Sequence, residues 1–587
     1  MARKGNQAVR TVSFMMLITL LGKLLGMVRE QFLAAKYATG VEGAAFMAAS
    51  QVPRLFFDAI FASAISASFI PIFVEYLEKR GRKEAFALAN RFITLISTVT
   101  VCLMLLGMLF AEPITRLFVP GYEVETIALC IPLLRMLFPT MLFTAIAFSF
   151  VGILQSLDEF NIPAALSVVS NTIIIIYYIF FNDRLGVYGL TAAFLLGWAM
   201  QAFMQLPSLW KKDYHFRPDF RFRDDGLRRI GKLMLPVMVS TWIQPINFVI
   251  NSRFASLLPN GEQNGTALQY ANTLYTIIVG VFVLAIANII FPQLSRMTGE
   301  EGKEEFGKTV KVTLRSMMFL LIPMMAGLMV LAEPVVRLIY QRGQFQAEDT
   351  LLTSTALFFF SVGMAGYGVQ TILSRAFYAN QDGKMPFLSG VVSISVNWIL
   401  CSILLEPMGL GGLALAAALS TTAAAAVLFV PAVRKYPGIL DGSLVSQLTK
   451  MLAAAMGMVA LVLGSYRFFA ARLGGSLLMQ VFSLGVAVCI GVAVYMMLAW
   501  VLRIEEGRMV FETLGRLMGR GAEAEASADG KNRGRREYPM IEKISWAIED
   551  SFCFRVLAKI INGLVSIWTG SLIYRCYAAI GRAVGRA

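Results

Sequence analysis

Six ionisable residues fall in stretches that are otherwise apolar: Lys23, Arg29 and Glu30 in the first, Arg54 and Asp58 in the second, and Arg253 in a later one. An ionisable group near the centre of a bilayer costs on the order of 2.5–3.5 kcal/mol on insertion scales, so its ordinary place is a cavity where it acts on a ligand. Lys23 and Glu30 are seven residues apart and share a helix face, and Arg54 and Asp58 at i, i+4 can pair within one helix. Arg29 and Arg253 have no partner so spaced. Guanidinium groups left over in a cavity suit an anion such as a phosphate, which the planar fork can grip with two hydrogen bonds.

Other chemistries find no footing. The 6 cysteines are scattered without a C-x-x-C pair, and the single histidine, His215, sits in the polar run KKDYHFRPDFRFRDD, where it reads as a solvated loop residue. No nucleophile motif or phosphate loop is present in the sequence. The chain is therefore expected to be no enzyme and to hold no metal or cofactor.

The elements that must position the six charges are membrane helices. The sequence is 57% hydrophobic and 15% charged, about half the charge density of a soluble protein, which excludes an ordinary soluble fold. Apolar stretches long enough to cross lie near 11–36, 44–75, 86–111, 124–153, 161–181, 187–210, 230–257, 269–294, 314–334, 351–379, 386–405, 410–433, 448–466 and 478–502. The fold expected is an all-α polytopic membrane protein with fourteen transmembrane helices. The first stretch carries Lys23 and Arg29 and no cleavage signature, so it reads as a retained span.

Lysine and arginine collect on alternate connections: Lys79, Arg80, Arg82, Lys83 and Arg91; the run from Lys211 to Lys232; Arg296 to Arg315; and Arg434, Lys435 and Lys450. The opposite connections hold few, among them Lys36, Arg116, Arg184 and Arg337. Because these residues resist translocation, both termini are expected in the cytoplasm, and the net charge of +15 needs no nucleic-acid partner.

The chain also repeats itself. Ala111-Glu-Pro-Ile-Thr-Arg-Leu117 recurs as Ala332-Glu-Pro-Val-Val-Arg-Leu338, and Pro71 with Pro292, Pro163 with Pro386, and Gly186 with Gly409 keep nearly the same spacing in the same order. That order argues for duplication. Each unit holds six spans, an even number, so the two repeats are parallel and related by an axis along the membrane normal, as in transporters that rock two bundles about a central cavity. The domains expected are 1–215 and 216–436 as six-helix lobes, 437–503 as two additional helices, and 504–587 as a cytoplasmic helical tail. The tail reads as basic and amphipathic, with anionic membrane lipids as its partner.

The stretches GKLLGMVRE (22–30), FIPIFVEY (69–76), QYANTL and GVFVLAIANIIFPQLS within 269–295, and FYANQDGKMP (377–386) resemble the MurJ/MviN lipid II flippases of the MOP exporter superfamily. The resemblance runs in order through 11–436 and more weakly to about 503. It implies a bacterial inner-membrane protein, acting as a monomer, that carries an undecaprenyl-pyrophosphate-linked peptidoglycan precursor to the outer leaflet by alternating access. By position it implies that Arg29 engages the pyrophosphate, with Glu30 following it and Lys23 at a second basic position. An arginine usual in span 2 falls on Phe57 and one usual in span 8 falls on Thr273; an acidic position falls on Ala44, with Glu42 nearby. Arg54 and Arg253 then supply charge from new positions, or the cargo is another polyprenyl-diphosphate-linked glycan. A cation-coupled multidrug exporter of the same superfamily is the less favoured reading, since the cavity charges are mainly basic. Spans 7 and 11 offer Asn247, Asn251 and Asn397 but no carboxylate for a coupling cation.

Overall fold

The computed structural model describes residues 2–241, 243–297, 302–473 and 476–510, with side chains described outside 2–16, 55–64, 66–67, 235–237, 239–241, 243–244 and 473. The tail expected from 511 to 587 lies outside the described residues. Gly22–Arg508 form one compact unit, which holds the candidate site. Among the described residues every regular element is a helix.

The first half comprises α1 (Ala2–Tyr37), α2 (Val41–Ala64), a π-helical turn at Ile65–Phe69, α3 (Ile70–Lys79), α4 (Gly81–Leu109), α5 (Ala111–Phe118), α6 (Val124–Leu137), α7 (Thr140–Ser156), α8 (Asn161–Phe180), α9 (Asn182–Phe203) and α10 (Leu206–Lys211). The second comprises α11 (Asp225–Thr241), α12 (Ile243–Ser256), α13 (Gly261–Arg296), α14 (Lys303–Val330), α15 (Ala332–Tyr340), α16 (Ala347–Val362), α17 (Met364–Ala379) and α18 (Lys384–Lys435). Then come α19 (Gly442–Leu473) and α20 (Leu477–Val501).

Nine helices among the described residues are long and apolar enough to cross a membrane, or ten if α16 and α17, bent by 46°, count as one span. The fourteen read from the sequence are not confirmed by this criterion, which is applied to the described residues alone. The 52-residue α18 counts once although Gly409 divides it.

The duplicated sequence markers fold alike. The two AEP segments form the short helices α5 and α15, each with an i, i+4 ion pair, Arg116 to Glu112 at 3.1 Å and Arg337 to Glu333. Gly186 breaks α9 at φ 53°, ψ −150°, and Gly409 breaks α18 at φ 54°, ψ −131°. A side chain disfavours this backbone region, which is why glycine stands at both corresponding positions.

α19 and α20 are tied to α14 by polar contacts at their ends. Arg315 on α14 pairs with Glu506 and, at 2.6 Å, with Glu505, both just past α20, and the Tyr495 hydroxyl donates to the Phe319 carbonyl at 3.1 Å. At the start of α19, Asp441 caps the Leu444 amide and accepts from Lys311 at 2.9 Å. The Lys311 hydrogen bond, then the Leu444 amide, hold its carboxyl at about 2.

Nothing lies within 4 Å of a Cβ placed on Gly186 or Gly409. Alanine at either should therefore cost only the backbone penalty, about 1–2 kcal/mol, read as a lower thermal midpoint in detergent with unchanged expression. Asp441 is depressed in the folded state, so its contribution is complete above the ordinary carboxylate value and fades as pH falls toward 2. Pepsin should spare the 436–444 connection at pH 4 and cut it at pH 2, whereas Asp441→Asn should be cut at both.

Candidate functional site

The charges on α1 are placed by close packing against α8. A Cβ on Gly22 would sit 2.2 Å from the Ser167 hydroxyl, and one on Gly26 would sit 3.4 Å from Asn171. The small-residue spacing Gly22-x-x-x-Gly26 thus serves helix contact, as such spacing does in membranes. Asn171 then fastens the two helices: its amide donates to the Gly22 carbonyl at 3.1 Å, and its carbonyl accepts from Arg29 at 3.0 Å.

Arg29 is held on three sides. Besides Asn171 it meets Glu30 at 2.5 Å, and its guanidinium lies 5.3 Å from the centre of the Phe194 ring on α9. Spacing on the helix left Arg29 without a partner; the structure supplies one from the adjacent residue, because both side chains swing to the same crevice. The pair is mostly covered, with side chains 19% and 13% exposed. In such surroundings the aromatic contact adds roughly 0.5–2 kcal/mol.

The other sequence candidates are more dispersed. Lys23 and Arg54 are exposed. Asp58 lies on α2 with its side chain outside the described residues. Arg253 on α12 donates to the Leu117 carbonyl at 2.5 Å, covering the C-terminal end of α5, where a cation is favoured by the helix dipole. Asn247, Asn251 and Asn397 converge in a buried cluster: Asn397 donates to Asn251 at 3.1 Å, and Asn247 donates to Ser393 at 3.0 Å. Among the described residues no group of three or more His, Cys, Asp or Glu could hold a metal.

Arg253 belongs to a seam between the two lobes that the sequence did not announce. Asp349, buried at the first turn of α16, accepts from the Thr39 hydroxyl of the first lobe and from Gln263 at 3.2 Å, and caps its own helix at the Gln346 amide at 2.8 Å. The Gln344 amide donates to the Ala35 carbonyl at 2.9 Å, the Tyr270 hydroxyl to the Ala38 carbonyl at 3.3 Å, and the Glu123 amide to Glu262 at 2.6 Å. Gly343 approaches so closely that a Cβ would lie 2.2 Å from the Ala35 carbonyl. A cavity of about 370 Å³ opens along this line between Thr39–Val41, Gly121, Glu123 and Leu258–Gln263. Tyr270, Tyr340 and Phe345 pack ring against ring at 4.8–5.7 Å just behind it. Arg29 and Glu30 lie about two turns of α1, roughly 11–12 Å, from Tyr37 at the seam.

A buried carboxylate with several donors is a strong latch, since a hydrogen bond to a charged group contributes about 1.5–3 kcal/mol. Thr39→Val removes the interlobe bond and leaves the α16 cap intact. In a background with exposed Cys102 and Cys489, and Cys553 and Cys576 of the tail, replaced by serine, maleimide labelling of Ala38→Cys should rise about tenfold with Thr39→Val, the ratio for roughly 1.4 kcal/mol. Unchanged labelling would mean that Asp349 does not hold the seam.

A family model described as lipid II flippase MurJ matches residues 33–483. A probable lipid II flippase MurJ of Vibrio cholerae serotype O1 is 29% identical over 424 residues, covering 70% of this chain and 80% of that protein. Its counterpart in Bdellovibrio bacteriovorus is 27% identical over 495 residues, covering 83% and 93%. Among solved structures, a lipid II flippase MurJ in an inward closed conformation superposes with a TM-score of 0.70 at 23% identity, covering 83% of this chain and 98% of that one. An inward-facing MATE multidrug transporter of the MOP superfamily superposes at 0.60 with 16% identity, covering 71% and 96%.

Proposed function

From the premise that this chain belongs to the lipid II flippase MurJ family, we propose that it moves lipid II from the inner to the outer leaflet of the bacterial inner membrane by alternating access. The observation that carries this reading is the mostly covered Arg29–Glu30 pair on α1, close to a hydrogen-bonded seam between two duplicated lobes. A diphosphate approaching α1 would compete with Glu30 for the Arg29 guanidinium, which offers two parallel donors to either acid. Exposed Lys23 and Arg54 add positive potential along the approach. Arg253 becomes available to the headgroup only when the seam parts and Leu117 releases it. In this scheme Glu30 and Asp58 keep the cavity cations from holding the cargo too tightly, since a carrier must also let go.

The distribution of lysine and arginine supports an orientation with both termini cytoplasmic and the seam on the outer side. The state described is then shut to the outside. The lipid tail would stay in the bilayer while the headgroup passes between the lobes, and the chain would act as a monomer that makes and breaks no covalent bond.

The test is complementation of a strain depleted of its own lipid II flippase. The unsubstituted protein should restore growth. Arg29→Ala should abolish it, with headgroup affinity lower by 2–5 kcal/mol, or about thirtyfold and more, and Arg29→Lys should restore it partially. Growth failure by the unsubstituted chain, inserted normally in the membrane, would redirect the reading to another polyprenyl-diphosphate-linked glycan, which the substitutions at Phe57 and Thr273 would then explain.

A further inference from the structure

The connection between the lobes is a fixed strap rather than a loose loop. From Tyr214 to Asp224 the chain is non-helical and climbs along α4. Tyr214 is buried and donates to Asn90 at 2.8 Å, the Arg217 amide donates to the same oxygen at 3.3 Å, and the Asp219 amide donates to Thr94 at 3.0 Å. Arg91 then binds both strap carboxylates, Asp219 at 3.1 Å and Asp224 at 2.5 Å, with all three side chains about 15% exposed. Asp224 also caps the first turn of α11 through the amides of Gly226 and Leu227. Arg221 grips Asp219 from outside at 2.7 and 2.9 Å and is the leading cause of its carboxyl lying well below the usual range.

This wiring sorts the strap by chemistry. Its acids turn inward to Arg91, while Phe216, Phe220 and Phe222 are 39%, 67% and 38% exposed and alternate with exposed Arg217, Arg221 and Arg223. Arg217 and Arg223 have no carboxylate partner among the described residues. Exposed Trp210 lies just before the strap.

The depth of the strap is set by α4. From Phe92 to Leu109 that helix carries no charge, a length of about 27 Å at 1.5 Å per residue, close to the roughly 30 Å of a hydrocarbon core. The strap is tied at Asn90, Arg91 and Thr94, so its tip lies at the boundary of that core, on the side where Lys79, Arg80, Arg82 and Lys83 gather. Aromatic rings and arginines at this level match the headgroup region, where rings enter the acyl boundary and cations meet phosphates.

We propose that the 214–224 strap is a binding site for anionic phospholipid headgroups of the leaflet it borders, with Phe220 and Phe222 seated at the acyl boundary and Arg217 and Arg223 on the lipid phosphates. The lobe linker is thereby moored to the membrane surface, so that one lobe keeps a fixed height while the other moves. This site is separate from the α1 charges and does not depend on the cargo proposed above.

The experiment uses the full chain with Phe220 replaced by p-benzoylphenylalanine, in nanodiscs of equal parts dioleoylphosphatidylcholine and dioleoylphosphatidylglycerol, with adducts weighed by mass spectrometry after irradiation. Phosphatidylglycerol adducts should exceed phosphatidylcholine adducts by about twenty-five-fold, the product of two arginines at about fivefold each. Arg217→Gln and Arg223→Gln should each lower that ratio by about fivefold, the factor for roughly 1 kcal/mol per basic residue at an anionic surface. Both arginines are exposed, and unchanged gel-filtration profiles would show the variants folded. An absence of lipid adducts, or equal adducts to the two lipids before any arginine is changed, would overturn the proposal. So would an equimolar undecaprenyl diphosphate displacing the phosphatidylglycerol adducts, which would assign the strap to the cargo lipid instead.

Discussion

A charge taken out of water must be met by something, and that constraint organises the functional half of this protein. Arg29 cannot lie between α1, α8 and α9 as a bare cation; it is met by a carboxylate, an amide and an aromatic face. The same rule produces the Asp349 latch, the Arg91 clamp on the strap and the Arg315 tie to the end of α20. In each case one buried ion joins segments far apart in sequence. These ions therefore work as joints, and a joint made of polar contacts can be exchanged for another set of polar contacts at small net cost. Apolar packing alone offers no such exchange, because lipid tails are as apolar as the helix surfaces.

The contacts within each half differ in kind from those between the halves. Within each lobe the helices meet through small residues and rings, as where Gly22 admits Ser167 or where Phe69 stacks on Phe73 and Phe92 at 5.2 and 4.7 Å. Between lobes, the seam is mostly hydrogen bonds to backbone carbonyls and to two carboxylates, Asp349 and Glu262. Water can replace those bonds one for one.

The fold was legible in the sequence where a signal is periodic or repeated. Long uncharged runs marked α4, α13 and α20, and the AEP repeat marked the duplication, although the short helices α5 and α15 that its two copies form needed coordinates. Gly186 and Gly409 were legible as repeat markers, although their backbone role needed coordinates. The span count was less legible, since two crossing stretches joined without a polar connection, as on either side of Gly409, fold into one continuous helix, α18. At the site, Arg29, Glu30 and Lys23 stood out because charge in an apolar run is conspicuous. Asn171, Phe194, Thr39 and Asp349 did not: the bond from Thr39 to Asp349 spans 310 residues, and nothing local in QAEDT distinguishes a latch from an ordinary helix cap. Arg253 was visible as a charge, but its acceptor is a backbone carbonyl, which no sequence pattern reveals.

The two ends of α4 show how these pieces act together. In its first half the helix carries the strap, and at its last residue it hands over to α5, whose Leu117 carbonyl receives Arg253 from the other lobe. The helix is about 43 Å long, the thickness of a bilayer with its headgroups. One lobe is therefore linked to the other at both membrane faces through a single rigid element, covalently through the strap and by hydrogen bonds at the seam. In the alternating access proposed above, opening of the seam pivots near the strap, where the chain cannot separate, and the hydrogen-bonded end sets which face opens.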